Sequence, residues 1–460
     1  MSLAFEFRGQ SRRSSVHAPT FASGVAHLLS RVLWGAIMVG CSGKEQPADT
    51  PVLPAFFARE PTAVLAAQTP EEAPQQLCLD GDTLVAVTEG GRLLVDDPAN
   101  SGASIEYVGS WAEVYEQDAD GAWVRRGRLV PEGKAGTVNW GASCTLEGDF
   151  LVVGHESAAQ VYIFERSNAG EWQQKSVLRG VEDSGFGAAV ELDGTTLAVG
   201  APQVDQVHLY EYENAGQWQH AHTVQGSERS FGSFGAAVAL SEDTIAIGAP
   251  KELSAERTVL GAVYLYTRAK PGGDWALEAR VESEPGDSVE FTHFGSVLAL
   301  ESGVLAVGAP ETAASLMFEG LEIDVQGGAV HVFERGEGGS WALEAHLKTL
   351  TEAQYSDDED VFWGFPVRLG AQVALSSGVL VILAPEEITF YGEGLGAAVG
   401  ALYVYTRQSR GWEQQVRLVP ETDTGSVASY GRSLAVDGNR LAIGHSHSGS
   451  QPEGSGVSVY

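Results

Sequence analysis

The sequence predicts an all-β ring of seven four-stranded antiparallel units set around a common axis. Three observations carry this. One apolar element recurs seven times, an aromatic-Gly pair precedes it at a fixed distance, and a short Gly-containing turn lies between the two. The apolar element is Leu84-Val-Ala-Val, Leu151-Val-Val-Gly, Leu197-Ala-Val-Gly, Ile245-Ala-Ile-Gly, Leu305-Ala-Val-Gly, Leu380-Val-Ile-Leu and Leu441-Ala-Ile-Gly. Eleven residues before its first residue stand Trp140-Gly141, Phe186-Gly187, Phe234-Gly235, Phe294-Gly295 and Tyr430-Gly431. Leu369-Gly370 is a degenerate copy, and the first repeat has Ala73-Pro74 there. Spacing without insertions is the behaviour of a hairpin whose register is set by its turn.

The turns fit that reading. Asp80-Gly81, Glu147-Gly148, Asp193-Gly194, Ser302-Gly303, Ser377-Gly378 and Asp437-Gly438 supply a glycine that accepts positive φ in a tight hairpin. A third strand follows each pair, as in Val161-Tyr-Ile-Phe164, Val263-Tyr-Leu-Tyr266 and Leu402-Tyr-Val-Tyr405, rich in branched and aromatic residues. A Trp after another turn marks the fourth strand, at 123, 172, 218, 275, 341 and 412. One such sheet leaves two faces and two edges exposed and needs neighbours. Radial closure supplies them. The sequence ends at Tyr460 on the third strand of the seventh unit. We therefore expect the apolar segment from Ala63 to Thr69 to pair there and latch the ring.

Composition narrows the function. Among 460 residues, 61 are acidic and 28 are Lys or Arg, for a net charge of −33. Such a body repels phosphates, which argues against nucleic acid and anionic lipid as partners. Apolar residues reach 43%, enough for a sizeable core. Residues 1–40 carry Arg8, Arg12, Arg13 and Arg31 and end in the apolar run from Val32 to Gly40, which reads as a signal peptide. That run is too short to span a bilayer as a helix. Met38-Val39-Gly40-Cys41 resembles a bacterial lipobox, with Met38 where that motif usually has Leu, so lipidation is expected at Cys41. Residues 41–63 then form a flexible tether, and residues 64–460 the repeat domain. The expected location is the bacterial cell envelope, at the outer membrane or cell surface, with the membrane reached only through Cys41.

The repeats resemble the FG-GAP repeats of bacterial surface proteins and of the integrin α-subunit head. Phe186-Gly187, Phe234-Gly235 and Phe294-Gly295 carry the first motif; Gly200-Ala201-Pro202, Gly248-Ala249-Pro250 and Gly308-Ala309-Pro310 carry the second. The resemblance implies a seven-bladed β-propeller and a role in adhesion or binding outside the cell. It does not bring calcium with it, because the turns between first and second strands hold too few oxygens to wrap the ion. Asp118-Ala-Asp120-Gly121 reads as a hairpin turn. No cofactor and no metal site are expected.

Loop lengths locate a tolerant face. The loops between second and third strands are short in repeats two and three and longer in the others, and such loops carry binding more often than strands do. The strand four-to-one connection from Thr349 to Pro366 should emerge on the same side. Phe318, Phe390, Tyr391, Tyr355 and Trp363 are candidate aromatic anchors there. The Trp column, present once per unit, reads as packing between units. His208 and His331 replace the tyrosines at 162, 264 and 403 and read as packing substitutions. His155 and His445 stand in repeats two and seven, with repeat one between them, and should not converge on a metal. Cys78 and Cys144 fall in adjacent positions of the first-strand column. Alternation points them to opposite faces of different units, so both are expected to be free thiols.

No motif of a nucleophile, acid pair, metalloenzyme or phosphate loop is present. The function expected from the sequence is a non-catalytic, monomeric binding propeller, not an enzyme, that recognises an envelope or extracellular protein or glycan. Its alternatives are a hydrolase or lyase with a site assembled at the axis, and a passive structural protein. Acids converging on the axis from several units would favour the enzyme.

Overall fold

Every predicted hairpin forms. The computed structural model describes residues 61–66, 74–96, 104–132, 140–213, 216–227, 233–253, 259–283, 292–318, 321–348, 364–365, 368–389, 397–398, 400–409, 411–419, 427–448 and 456–460. The first six blades are four-stranded antiparallel sheets in chain order. Their innermost strands are Gln76–Asp80, Cys144–Glu147, Val190–Asp193, Ala237–Ser241, Val297–Glu301 and Gln372–Ser376. The seventh blade takes Val427–Asp437, Arg440–Ser448 and Gly456–Val459 from the end of the chain and Ala63–Ala66 from its beginning. The latch pairs Ala63 with Val459 and Ala66 with Gly456. Thr62 adds a backbone N–H to the Val459 carbonyl at 2.7 Å. The innermost strands pack in sequence, and the last packs on the first, so the ring is closed.

The chain forms seven cores, each shared by two neighbouring blades. Leu151 and Val153 enter the core with blade one, and Val152 enters the core with blade three. Successive side chains of a strand point to opposite faces. Here both faces meet a partner blade, which is why the second strand reads as an unbroken apolar run. The same sharing explains the aromatic-Gly and Gly-Ala-Pro pairs. Phe234 and Phe294 are fully buried in the cores between blades three and four and between blades four and five. The Gly295 N–H bonds the Gly308 carbonyl within blade five at 3.1 Å. A side chain on Gly248 of blade four would lie 2.0 Å from the Gly295 carbonyl oxygen. The two glycines allow the backbones of adjacent blades to touch, and the aromatic ring fills the gap beside them.

The Trp column also bridges blades. The Trp341 indole N–H donates to Glu278 of blade four at 3.0 Å, and that of Trp412 donates to Glu344 of blade five at 3.2 Å. The long loops have their own small sheets. Ala313–Phe318 pairs with Leu321–Gln326, and Gly364–Phe365 pairs with Ile388–Thr389. The second pairing puts the four-to-one connection on the same face as the two-to-three loop, as expected.

One expectation fails. Cys78 and Cys144 form a disulfide, with Cα atoms 6.3 Å apart. The two thiols do lie on opposite faces, as alternation requires, but the consequence is the reverse of the expected one. In a ring, the forward face of one blade looks at the backward face of the next. Thiols on opposite faces of adjacent blades are therefore opposed across the shared core. The bond joins blade one to blade two, beside the blade that the latch closes. Alkylation without reductant should label neither of these two cysteines. Replacing both with Ser should lower unfolding stability by about 2–4 kcal/mol, the usual worth of such a cross-link. An unchanged denaturant midpoint would show that the bond constrains nothing.

Candidate active site on the propeller axis

Where the seven innermost strands meet, they leave a channel of about 250 Å³. Its lining includes Leu77, Leu79, Leu146, Leu240, Leu298, Leu300, Leu375, Leu434 and Val436, with the Cys78–Cys144 bond and Thr145. One carboxylate enters this apolar wall, that of Glu191. The equivalent residues of the other blades are Cys78, Thr145, Ala239, Ala299, Ala374 and Ala435. The column is otherwise small, and Glu191 is its only ionisable member besides the disulfide cysteine. Burial pushes the Glu191 carboxyl up to about 8, with Asp193 and Glu147 adding repulsion. The carboxyl is thus held largely protonated at neutral pH.

Two residues further along the same strands lies a ring of polar side chains. Each reaches across to a backbone N–H in the hairpin turn of the next blade. Asp80 accepts from Gly148 at 2.6 Å and Glu147 from Gly194 at 2.8 Å. Asp193 accepts from Glu242. Ser241 accepts from Ser302 at 3.3 Å, Glu301 from Ser377 at 2.8 Å and Ser376 from Gly438 at 2.9 Å. Asp437 accepts from Gly81 at 2.7 Å, which closes the circle across the latch blade. Asp80, Glu147, Asp193 and Asp437 were legible as turn formers before a glycine, and the structure adds the task of tying blades together, which Ser241, Glu301 and Ser376 share. Five of the seven are carboxylates, so this mouth of the channel is strongly negative. Burial raises the Glu147 carboxyl, opposed by the Gly194 N–H and reinforced by Asp193 and Asp80.

A larger cavity of about 730 Å³ lies between blades four and five and reaches the ring at Ser241, Leu300 and Ser302. Its charged residues include Arg335 and Glu278, which are paired with each other. It offers no isolated reactive group comparable with Glu191. Elsewhere, carboxylates are enclosed in fixed structure. Glu252 accepts from Tyr264 at 2.8 Å and pairs with Arg280 at 2.8 Å. Glu387 accepts from Tyr403 at 2.7 Å and pairs with Arg417. Glu252 and Glu387 are buried at the feet of the long loops of blades four and six. The backbone carbonyl of Glu252 accepts from Gly261, and that of Glu387 from Gly400. These triads anchor loops.

The residues singled out from sequence fall as follows. Tyr355, Trp363, Phe390 and Tyr391 lie outside the described residues, as does Cys41. Phe318 ends a strand, and its side chain lies outside what is described. His155 and His445 are buried beside Tyr162 and Tyr430 in different blades and do not meet. Asp118 caps its own hairpin turn, accepting from Asp120 and Ala122 N–H at 3.0 and 2.9 Å. Among the described residues, no three of His, Cys, Asp or Glu are placed to hold a metal ion. Glu191 was missed. Its signal was present in the column of small residues in which it is the one carboxylate, but a column names no chemistry until the axis is known.

Compared with known proteins, the sequence matches no established family and no curated relative. Solved structures similar to it include a protein from Lactobacillus plantarum, at 14% identity and a TM-score of 0.48, covering 77% of this chain and 87% of that one. Another is the periplasmic gluconolactonase of Pseudomonas aeruginosa, at 14% identity and a TM-score of 0.45, covering 75% and 85%. The axis corrects the functional expectation. The non-catalytic binding reading, with its exclusion of an enzyme, is withdrawn. Glu191 is the one acid lining the axial channel, with its proton affinity raised, while the ring of carboxylates stands at the mouth, bonded to backbone N–H groups. No sequence motif announced this, because such a site draws a single residue from each blade and leaves no local signature.

The raised Glu191 carboxyl has a consequence for stability. The folded state keeps a proton that the unfolded chain loses near the ordinary value of 4.5. Stability should therefore fall as pH rises from there to about 8, then level off. A tenfold change in proton affinity is worth about 1.4 kcal/mol, so the total is several kcal/mol at most. Glu191→Gln should remove this slope and melt higher than wild type at pH 8. Parallel melting curves for the two proteins between pH 4.5 and 9 would refute the assignment.

Proposed function

We propose that this protein is an exported enzyme of the hydrolase class, with its site on the propeller axis and Glu191 as the acid–base group. The observation that carries it is a lone carboxyl set in an apolar channel, its proton affinity raised into the working range of acid–base catalysis. The protonated carboxyl would donate to the oxygen that departs when water adds to an acyl or glycosyl carbon. In its ionised form it would take the proton of the attacking water. Thr145 lines the same channel and supplies a hydroxyl for orienting the reacting group. The channel's size limits the reacting part to a small moiety, and the acidic mouth favours uncharged or cationic substrates over anions.

The repeats are of FG-GAP type in this reading. Export is supported by the Cys78–Cys144 disulfide, since such bonds persist in oxidising compartments. Cys41 is the proposed lipid attachment point, residues 1–40 the removed signal and the residues after Cys41 the tether, which ends where Thr62 and Ala63 join the latch of the catalytic propeller.

The test is a panel of small neutral esters, lactones and aryl glycosides, each assayed with wild type and Glu191→Gln. At least one substrate should turn over, with kcat/KM falling as pH rises through about 8 where proton donation limits the rate. Glu191→Gln should lose roughly 100-fold or more in rate while staying folded. Turnover that is equal in the two proteins, or absent across the panel, would overturn the proposal.

A further inference from the structure

We propose that His208 and His220, on the outer strands of blade three, chelate a borderline transition-metal dication such as copper(II), nickel(II) or zinc(II). This site is independent of the axial one. Its origin is a backbone irregularity. The third and fourth strands of the first six blades share a register shift at the same place. In blade three Leu209 pairs with His222 and Tyr210 with His220, which leaves Ala221 unpaired. A bulge of this kind re-aims side chains. Here the His208 Nδ1 lies 3.2 Å and the His220 Nε2 2.9 Å from one and the same atom, the Thr223 hydroxyl oxygen. The two rings are 5.6 Å apart, inclined at 58°.

Two imidazole nitrogens thus converge on one point. The hydroxyl can donate to only one of two imidazole lone pairs, and it bonds the second ring only where that nitrogen carries a proton to give. A metal ion accepts both, and imidazole is the ligand suited to copper, nickel and zinc. The rings are held in place from behind. Phe186 packs edge-on against His208 at 5.4 Å, and Tyr210 against His220 at 5.4 Å. His220 and Thr223 are exposed, so an ion reaches the pair without any opening of the fold. Water completes the coordination. Blade five makes the contrast. His331 occupies the His208 position there, but it is fully buried and lies nearly parallel on His346 at 4.1 Å, an arrangement of stacked packing.

The experiment is titration of the full chain with copper(II), nickel(II) and zinc(II), followed by calorimetry, with paramagnetic resonance for copper. At pH 7.5 we expect one saturable site, two nitrogen donors in the copper spectrum and a higher melting temperature with metal. Affinity should fall about tenfold or more in His208→Tyr and in His220→Gln. The first substitution introduces the residue that three other blades hold at that position. Absence of saturable binding overturns the proposal. So does retention of the same affinity and stoichiometry in both variants, which would place the ion elsewhere. Should a variant fail to fold, imidazole resonances of the wild type decide the matter. Zinc must shift those of His208 and His220, and a zinc-induced shift confined to other histidines refutes the site.

Discussion

The whole molecule rests on the sharing of every buried face between two blades. No sheet here owns a core. Each blade contributes half of two cores, so removing one would expose both of its neighbours. This constraint decides the residue pattern more strongly than strand propensity does. It makes the second strand apolar on both faces, as in Leu197–Val199 and Ile245–Ile247, which are fully buried. It requires glycine where neighbouring backbones touch, as at Gly248 against Gly295. It also gives the residue before each hairpin turn an address in the next blade. The hydrogen-bonded circle from Asp80 round to Asp437 is that address repeated seven times.

Closure follows from the same constraint. A linear stack would leave two half-cores open, and the chain avoids this by borrowing Ala63–Ala66 for its last blade. The interblade bonds continue without interruption across that join. Arg440 reaches from blade seven to the Gly81 carbonyl of blade one at 2.9 Å, while Asp437 accepts the Gly81 N–H. The disulfide lies one interface further round. The region where the two chain ends meet is therefore tied on the inner side by hydrogen bonds and an adjacent covalent link, and on the outer side by the latch strand.

How much of this was legible follows from what repetition can display. Seven copies, their hairpins, the latch and the packing role of the Trp column were all readable, because each leaves a periodic mark. Cys78 and Cys144 show the limit. Their column positions were correctly placed, yet the conclusion was reversed, since one-dimensional alternation does not say which faces oppose each other around a ring. Glu191 shows a second limit. It stood in a column with Thr145, Ala239 and Ala374, and only the axis turns that column into the wall of a channel. The aromatic anchors on the long loops had no periodic support at all, because insertions are by nature what the repeat does not constrain.

The departures from the repeat are for that reason the informative positions. A residue that recurs in every blade is accounted for by packing, and the Trp column and the Phe-Gly column are of this kind. Glu191 recurs nowhere. Alanine, the residue of four other blades, would avoid its desolvation and its repulsion from Asp193 and Glu147. No ion pair among the described residues offsets that cost. The buried Glu252 and Glu387 differ in this respect, since each has a tyrosine and an arginine. A buried charge with partners stabilises a loop, whereas a carboxyl held protonated in an apolar channel only weakens the fold. A group that costs stability and serves no packing is what a reactive site requires, and the axis is where the seven blades bring their side chains within reach of one small molecule.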